Sequence, residues 1–116
     1  MAAFTLGGMQ ATLFGALAEP SRLRIVELLR TGPLSVGEIA EALDIRQPQV
    51  SKHLRVLDDS GLVSGAAQAR RRIYRLEPEP FEEIARWAGS FERLWEARLD
   101  SLGAYLDSIT DGRDEN

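Results

Sequence analysis

Ile45-Arg46-Gln47-Pro48-Gln49-Val50-Ser51-Lys52-His53-Leu54-Arg55-Val56-Leu57 is the stretch whose reading decides the fold. Val50, Leu54 and Leu57 stand at i, i+4 and i+7, so on a helix they share one dry face. Pro48, Gln49, Lys52 and Arg55 project mostly the other way, with Ser51 and His53 on the flanks. The wet side carries amide, hydroxyl, ammonium and guanidinium groups and no carboxylate. Those groups hydrogen-bond base edges and phosphates. Taken alone, the pattern fits a solvated surface helix equally well, and its neighbours decide between the two.

Working back, Ser35-Val36-Gly37-Glu38 matches the Ser-x-x-Glu capping box. It predicts a helix to about Leu43, with Val36, Ile39, Ala40 and Leu43 inward. Asp44 then falls in a turn that needs left-handed backbone, which Asp visits more readily than most residues. Two short helices so joined form a helix-turn-helix, and small Ala40 allows them to approach closely. Before them, Glu19-Pro20-Ser21 opens an apolar helix through Leu23, Ile25, Val26, Leu28 and Leu29, too apolar for a surface element. Thr31-Gly32-Pro33 ends it. Met9 to Leu17 suit a short first helix, with Met9, Leu13, Phe14 and Leu17 on one stripe.

Working forward, Ser60-Gly61 stops the central helix. Leu62-Val63 begins a strand and Arg72-Ile73-Tyr74-Arg75-Leu76 forms a second. Gly65 to Arg71 between them make a β-hairpin with a basic tip and returning arm, a wing. Beside such a helix, Arg70, Arg71 and Arg72 are suited to phosphate or minor-groove contact. The plainer alternative is a soluble hairpin tip. Alternation puts Arg70, Arg72 and Tyr74 on one face and Arg71, Ile73 and Arg75 on the other. Glu77-Pro78-Glu79-Pro80 closes the wing. From Phe81 to Ile109 the stripe Ala88, Phe91, Trp95, Leu99, Leu102, Leu106, Ile109 predicts one long amphipathic helix, widened by Ile84, Trp87, Leu94 and Tyr105. Such a helix is about 29 residues and roughly 43 Å long. The preceding body is too small to cover it, so a partner is expected, most simply a second copy. The organisation read from this is a loose 1–8, a winged helix-turn-helix DNA-binding domain over 9–77, a dimerisation helix over 78–109 and a loose 110–116.

The chain of 116 residues has the length of one domain, and 44% hydrophobic content suffices for a core. It has no cysteine, which excludes disulfides, thiolate metal sites and thiol redox chemistry and fits a reducing cytoplasm. No apolar run approaches a membrane span and no signal-peptide pattern opens the chain, so the expected location is cytoplasmic, without membrane. The net charge of −4 is unevenly placed. Residues 1–45 carry three basic and five acidic side chains, residues 46–75 seven and two, and residues 77–116 four and eleven. Positive charge is confined to the block holding the helix and the wing, which orients the molecule on a polyanion.

An enzyme is not expected: there is no cysteine, no second histidine, no Gly-rich phosphate loop and no acid/base pair in a plausible cleft. His53 alone makes no metal site. The carboxylates of the last helix fit a solvated face. No metal and no cofactor is expected. Gln47 and Gln49 are suited to adenine edges, and Lys52 and Arg55 to guanine or phosphate.

Ala18-Glu19-Pro20-Ser21-Arg22-Leu23-Arg24-Ile25, Val36-Gly37-Glu38-Ile39-Ala40, Gln47-Pro48-Gln49-Val50-Ser51-Lys52-His53-Leu54 with Leu57, Gly61-Leu62-Val63 and Arg71-Arg72-Ile73-Tyr74-Arg75-Leu76 together resemble the ArsR-type winged-helix transcriptional repressors. The resemblance spans about residues 10–77. It implies a mainly α fold with a small β-hairpin in the order α1-α2-α3-α4-β1-β2-α5, and a homodimer formed by the first and last helices. It also implies repression by occupying a double-stranded DNA operator. The expected DNA contacts are Gln47, Pro48, Gln49, Ser51, Lys52, His53 and Arg55 on the recognition helix and Arg70, Arg71 and Arg72 on the wing. The dimer interface would use Leu13, Phe14, Trp87, Phe91, Leu94, Trp95, Leu99, Leu102 and Leu106. Phe91-Glu92-Arg93-Leu94-Trp95 looks like a subgroup without metal sites. Family metal sensors often carry Cys-x-Cys at about residues 35–42, or His and Asp pairs on the last helix; this chain has no cysteine and no histidine over 78–116. Gln68-Ala69 also stands where many members have an acidic residue and Gly. A small-molecule-gated sensor repressor and a winged-helix protein-interaction module are the alternatives.

Overall fold

The computed structural model describes residues 11–114, with side chains from 11 to 110. The 1–8 segment, the start of the first helix at Met9 and residues 115–116 lie outside the described residues. The elements are α1 (described over 11–17), α2 (Pro20–Leu29), β1 (Leu34–Ser35), α3 (Val36–Leu43), α4 (Gln47–Asp59), β2 (Val63–Gln68), β3 (Arg71–Leu76) and α5 (Pro78–Asp114). The chain divides after Phe81 into two compact units.

In the first unit α2 starts where Pro20 predicts. The Glu19 carboxylate caps it, accepting the Arg22 N–H at 2.9 Å. The Arg22 side chain turns back onto α1, where Nε donates to the Ala16 carbonyl at 2.6 Å. One residue thus ties the end of α1 to the start of α2. Ile25, Val26 and Leu29 are buried, whereas Leu23 is 45% exposed. The buried stripe turns with the 3.6-residue period and leaves Leu23 outside it. On α1, Leu13 is 3% exposed and Phe14 is half-buried.

The capping box of α3 is formed: Ser35 Oγ accepts the Glu38 N–H at 3.1 Å and Glu38 Oε1 accepts the Ser35 N–H at 2.9 Å. Asp44 takes φ 55 and ψ 49, the left-handed turn that the sequence requires. Its N–H and that of Ile45 both donate to the Ala40 carbonyl, and Arg24 donates to the Leu43 carbonyl at 3.1 Å. Two of the orphan carbonyls at the end of α3, those of Ala40 and Leu43, are so satisfied. Val50, Leu54 and Leu57 of α4 are fully buried, each contributing roughly 2 kcal/mol of apolar burial.

The hairpin exists and supplies two strands of a three-stranded sheet: β1 joins it, giving an antiparallel order β1-β3-β2. Leu34 pairs with Tyr74 and Ser35 with Ile73. A strand of two residues has no alternation to read, so sequence pattern shows only the hairpin. The β2–β3 register closes on Gln68 and Arg71, leaving Ala69-Arg70 as a two-residue turn. Ala69 has φ 57 and Arg70 has no positive φ. That φ pattern belongs to a type II′ turn, whose first central position usually holds Gly.

The second unit lies within α5, a helix of 37 residues. It begins at Pro78 rather than near Phe81, because the first turn of a helix needs no intrahelical N–H donors and so tolerates both Pro78 and Pro80. It also continues through residues 110–114, which were expected to be a loose tail; no proline stops it there. Among the described residues no helix is long and apolar enough to cross a membrane.

Candidate nucleic-acid interface

The fully buried seam of α4 fixes its opposite side outward. Gln47, Pro48, Gln49, Ser51, Lys52 and Arg55 are all exposed, and His53 is half-buried at the edge. The N-terminus of α4 has a further property. Its cap, Arg46, makes no side-chain hydrogen bond and no acidic residue stands in the first turn. Pro48 offers no N–H and the Gln49 N–H donates to the Arg46 carbonyl at 3.0 Å, so what favours an anion such as a phosphate here is the positive end of the helix dipole with no acidic side chain in the first turn. Arg46, absent from the expected contacts, is exposed at this end. It lines a depression with Gln49, Lys52, His53 and Glu19. His53 is not isolated, since its Nδ1 stands 3.8 Å from Glu19 Oε2, an ion pair when the imidazole is protonated. That pairing joins the recognition-type helix to the cap of α2, two sites too far apart in sequence for local pattern to connect them.

The wing arginines, adjacent in sequence, have different surroundings. Arg70 is exposed in the turn and makes no hydrogen bond or ion pair among the described residues. Arg72 lies over Tyr74, its Cζ 5.6 Å from the ring centroid and its Nε donating to the Tyr74 hydroxyl at 3.0 Å. Arg75 sits at the wing's base against Ser64 and Glu77. Arg71, one of the expected DNA contacts, is turned onto α3: its Nη2 donates to Ser35 Oγ at 3.0 Å and pairs with the Glu38 carboxylate. The Ser35 amide first, then its hydroxyl, then Arg71 hold the Glu38 carboxyl below its ordinary value.

In α5, Trp87, Phe91, Leu94, Trp95, Leu99, Leu102 and Leu106 are all exposed, Trp95 at 60% and Leu99 at 59%. Trp87 and Phe91 meet edge to face with centroids 4.9 Å apart. Among the described residues no three His, Cys, Asp or Glu side chains gather to hold a metal ion.

The family model described as bacterial regulatory protein, arsR family, matches residues 19–64. Over 96 residues the chain is 38% identical to the HTH-type transcriptional regulator Rv2034 of Mycobacterium tuberculosis, spanning 83% of this chain and 87% of that one. The chain belongs to the ArsR family. A second ArsR relative, the arsenical resistance operon repressor of Escherichia coli, is 35% identical over 84% of this chain and 81% of its own. The crystal structure of an ArsR family transcriptional regulator superposes with a TM-score of 0.68 at 34% identity, covering 78% of this chain and 93% of that one. The solution structure of a homodimeric winged helix-turn-helix DNA-binding domain from Mycobacterium bovis gives 0.63 at 28% identity, covering 76% and 82%. This ArsR-family chain is a winged helix-turn-helix transcriptional regulator, a DNA-binding repressor by kind.

Proposed function

We propose that two copies of this chain pair through α5, with α1 contributing Phe14, and that the dimer represses transcription in the cytoplasm by occupying an inverted-repeat operator. Each protomer lays α4 in a major groove and its wing on the adjacent backbone or minor groove. The half-sites lie about one helical turn apart or a multiple of it. The observation that carries this reading is the outer side of α4, where amides, a hydroxyl and three cations, Arg46, Lys52 and Arg55, are exposed on a helix whose first turn holds no acidic residue. The exposed apolar strip of α5 supports pairing of copies, because an unshared strip with two Trp is unfavourable in water.

Gln49 and Lys52 read bases, with Gln47, Pro48, Ser51, His53 and Arg55 completing the contact surface of α4. Arg70 and Arg72 hold the backbone. Repression needs no transition metal in this reading, since the chain has no cysteine and no histidine over 78–116. Titration of operator and scrambled duplexes at several salt concentrations tests the roles. Gln49→Ala and Lys52→Ala are expected to weaken operator binding while sparing scrambled DNA, by about 1–3 kcal/mol for a bidentate base contact. Arg70→Ala and Arg72→Ala are expected to weaken both alike and to flatten the salt dependence. Equal losses on both duplexes for every variant would sink the assignment.

A further inference from the structure

We propose that Arg71 is a positioning residue: it locks the wing onto the start of α3 and so sets where Arg70 and Arg72 meet DNA, without touching DNA itself. The proposal rests on the wing contact proposed above.

The geometry makes Arg71 the last link of a chain of attachments. β1 fastens the hairpin to the helix-turn-helix, but it is two residues long and its final pair is Ser35 with Ile73. From Ile73 toward the turn, the hairpin has no β1 partner. A free two-stranded ribbon is marginal in water and twists readily. Arg71 lies two residues beyond Ile73 along β3 and projects to the same side. There its guanidinium reaches both members of the α3 capping box, Ser35 Oγ and the Glu38 carboxylate. Ser35 thus does three things at once: it pairs with β3, caps α3 and accepts Arg71.

The same contact disqualifies Arg71 as a phosphate ligand. A carboxylate already neutralises it, and a phosphate brought to that guanidinium would meet the Glu38 charge. The side chains of Arg71 and Glu38 are 55% and 48% exposed, so the pair adds little to global stability. Its consequence is directional. It holds the tip at a set distance from α3, and hence from α4, which follows α3 after the Asp44 turn.

The two roles predict opposite signs for one variant. Glu38→Gln keeps the capping box, which accepts Gln as well as Glu, and removes the charge that holds Arg71. Loss of a negative charge near DNA by itself tightens binding. If Arg71 were a phosphate ligand, freeing it would tighten binding further. If it is the lock, freeing it loosens the wing and weakens binding.

The experiment is a salt titration of the full-length protein on a duplex selected in vitro for binding, using Glu38→Gln, Arg71→Ala and the double variant. Expected are affinity losses of about three- to tenfold for each single variant, the scale of one local coupling. The salt slope should be unchanged and the double variant no worse than Arg71→Ala. Amide exchange at Arg71 and Arg72 should accelerate in both single variants, a readout that needs no DNA. Undiminished or tighter binding by Glu38→Gln overturns the proposal, as does a salt slope lowered by about one in Arg71→Ala. Arg70→Ala and Arg72→Ala separate the two readings. If neither weakens binding, the wing contact falls and this proposal with it. If both do while Glu38→Gln binds unimpaired, the lock alone falls.

Discussion

Gly65 on β2 faces Tyr74 on β3 so closely that a β-carbon at Gly65 would stand 2.8 Å from the ring's Cε1 and 2.9 Å from Arg72 Nε. The glycine is a steric requirement of the wing. Tyr74 is 9% exposed, and its ring is the seat on which Arg72 rests. Gly65→Ala is expected to push the ring and the guanidinium aside at a cost of about 1–3 kcal/mol, the range for overpacking. Urea denaturation measures the stability loss. Titration with scrambled duplex should show weaker binding as Arg72 is displaced, and a variant as stable as the parent would show that the ring yields freely.

The two non-glycine residues at positive φ among the described residues predict different outcomes for the same change. Asp44 at φ 55 and ψ 49 tolerates its conformation, so Asp44→Gly is expected to be close to neutral. Asp44→Val is expected to cost about 1–2 kcal/mol, since a β-branched residue is strained there. Ala69 at φ 57 leads a tight turn without a polar side chain to ease it. Ala69→Gly is therefore expected to stabilise the protein by about 1 kcal/mol. The denaturant midpoint should rise at constant slope, and a lowered midpoint would refute strain at this turn.

Acid should expose the capping box. The Glu38 carboxyl titrates below its ordinary 4.5 in the folded chain because the Ser35 amide and hydroxyl, then Arg71, favour its charged form. A depressed folded value contributes stability that is complete above the ordinary value and disappears as pH falls through the folded one. Denaturation profiles from pH 6 to pH 3 should fall in the parent and fall less steeply in Glu38→Gln. Parallel profiles would mean that other groups govern the acid limb.

The apolar strip of α5 can be tested by burying a charge in it. Trp95→Glu and Leu99→Glu place carboxylates at positions that are 60% and 59% exposed in one chain, so the fold of the protomer should survive. Sedimentation should shift from dimer to monomer with helix content retained in the far-ultraviolet spectrum. Operator affinity should drop by about 100-fold or more as bivalent binding is lost. A dimer that survives both changes would locate the pairing surface elsewhere.

Much of the fold is legible in residue order because its causes act over one or two turns. The seam of Val50, Leu54 and Leu57, the Ser35-Val36-Gly37-Glu38 box and the left-handed Asp44 are each set by neighbours within four residues, and each stands in the structure as expected. The outward face of α4 follows from that seam. The third strand was not legible, since Leu34-Ser35 offers no alternation, nor was the inward turn of Leu13, whose stripe on α1 has no marker for what it meets.

What this sequence determined by itself is the helix-turn-helix with its polar outer face, the basic hairpin and the apolar period of α5. What only the tertiary structure decided is which arginine of Arg70-Arg71-Arg72 does what. In sequence the three are alike. They separate because β1 pairs with β3 and brings the start of α3 beside Arg71, 33 positions from Glu38, while the Gly65 gap admits the Tyr74 ring beneath Arg72. A charged side chain takes its role from the partner within a few ångströms, and only the long-range pairing of strands settles which partner that is.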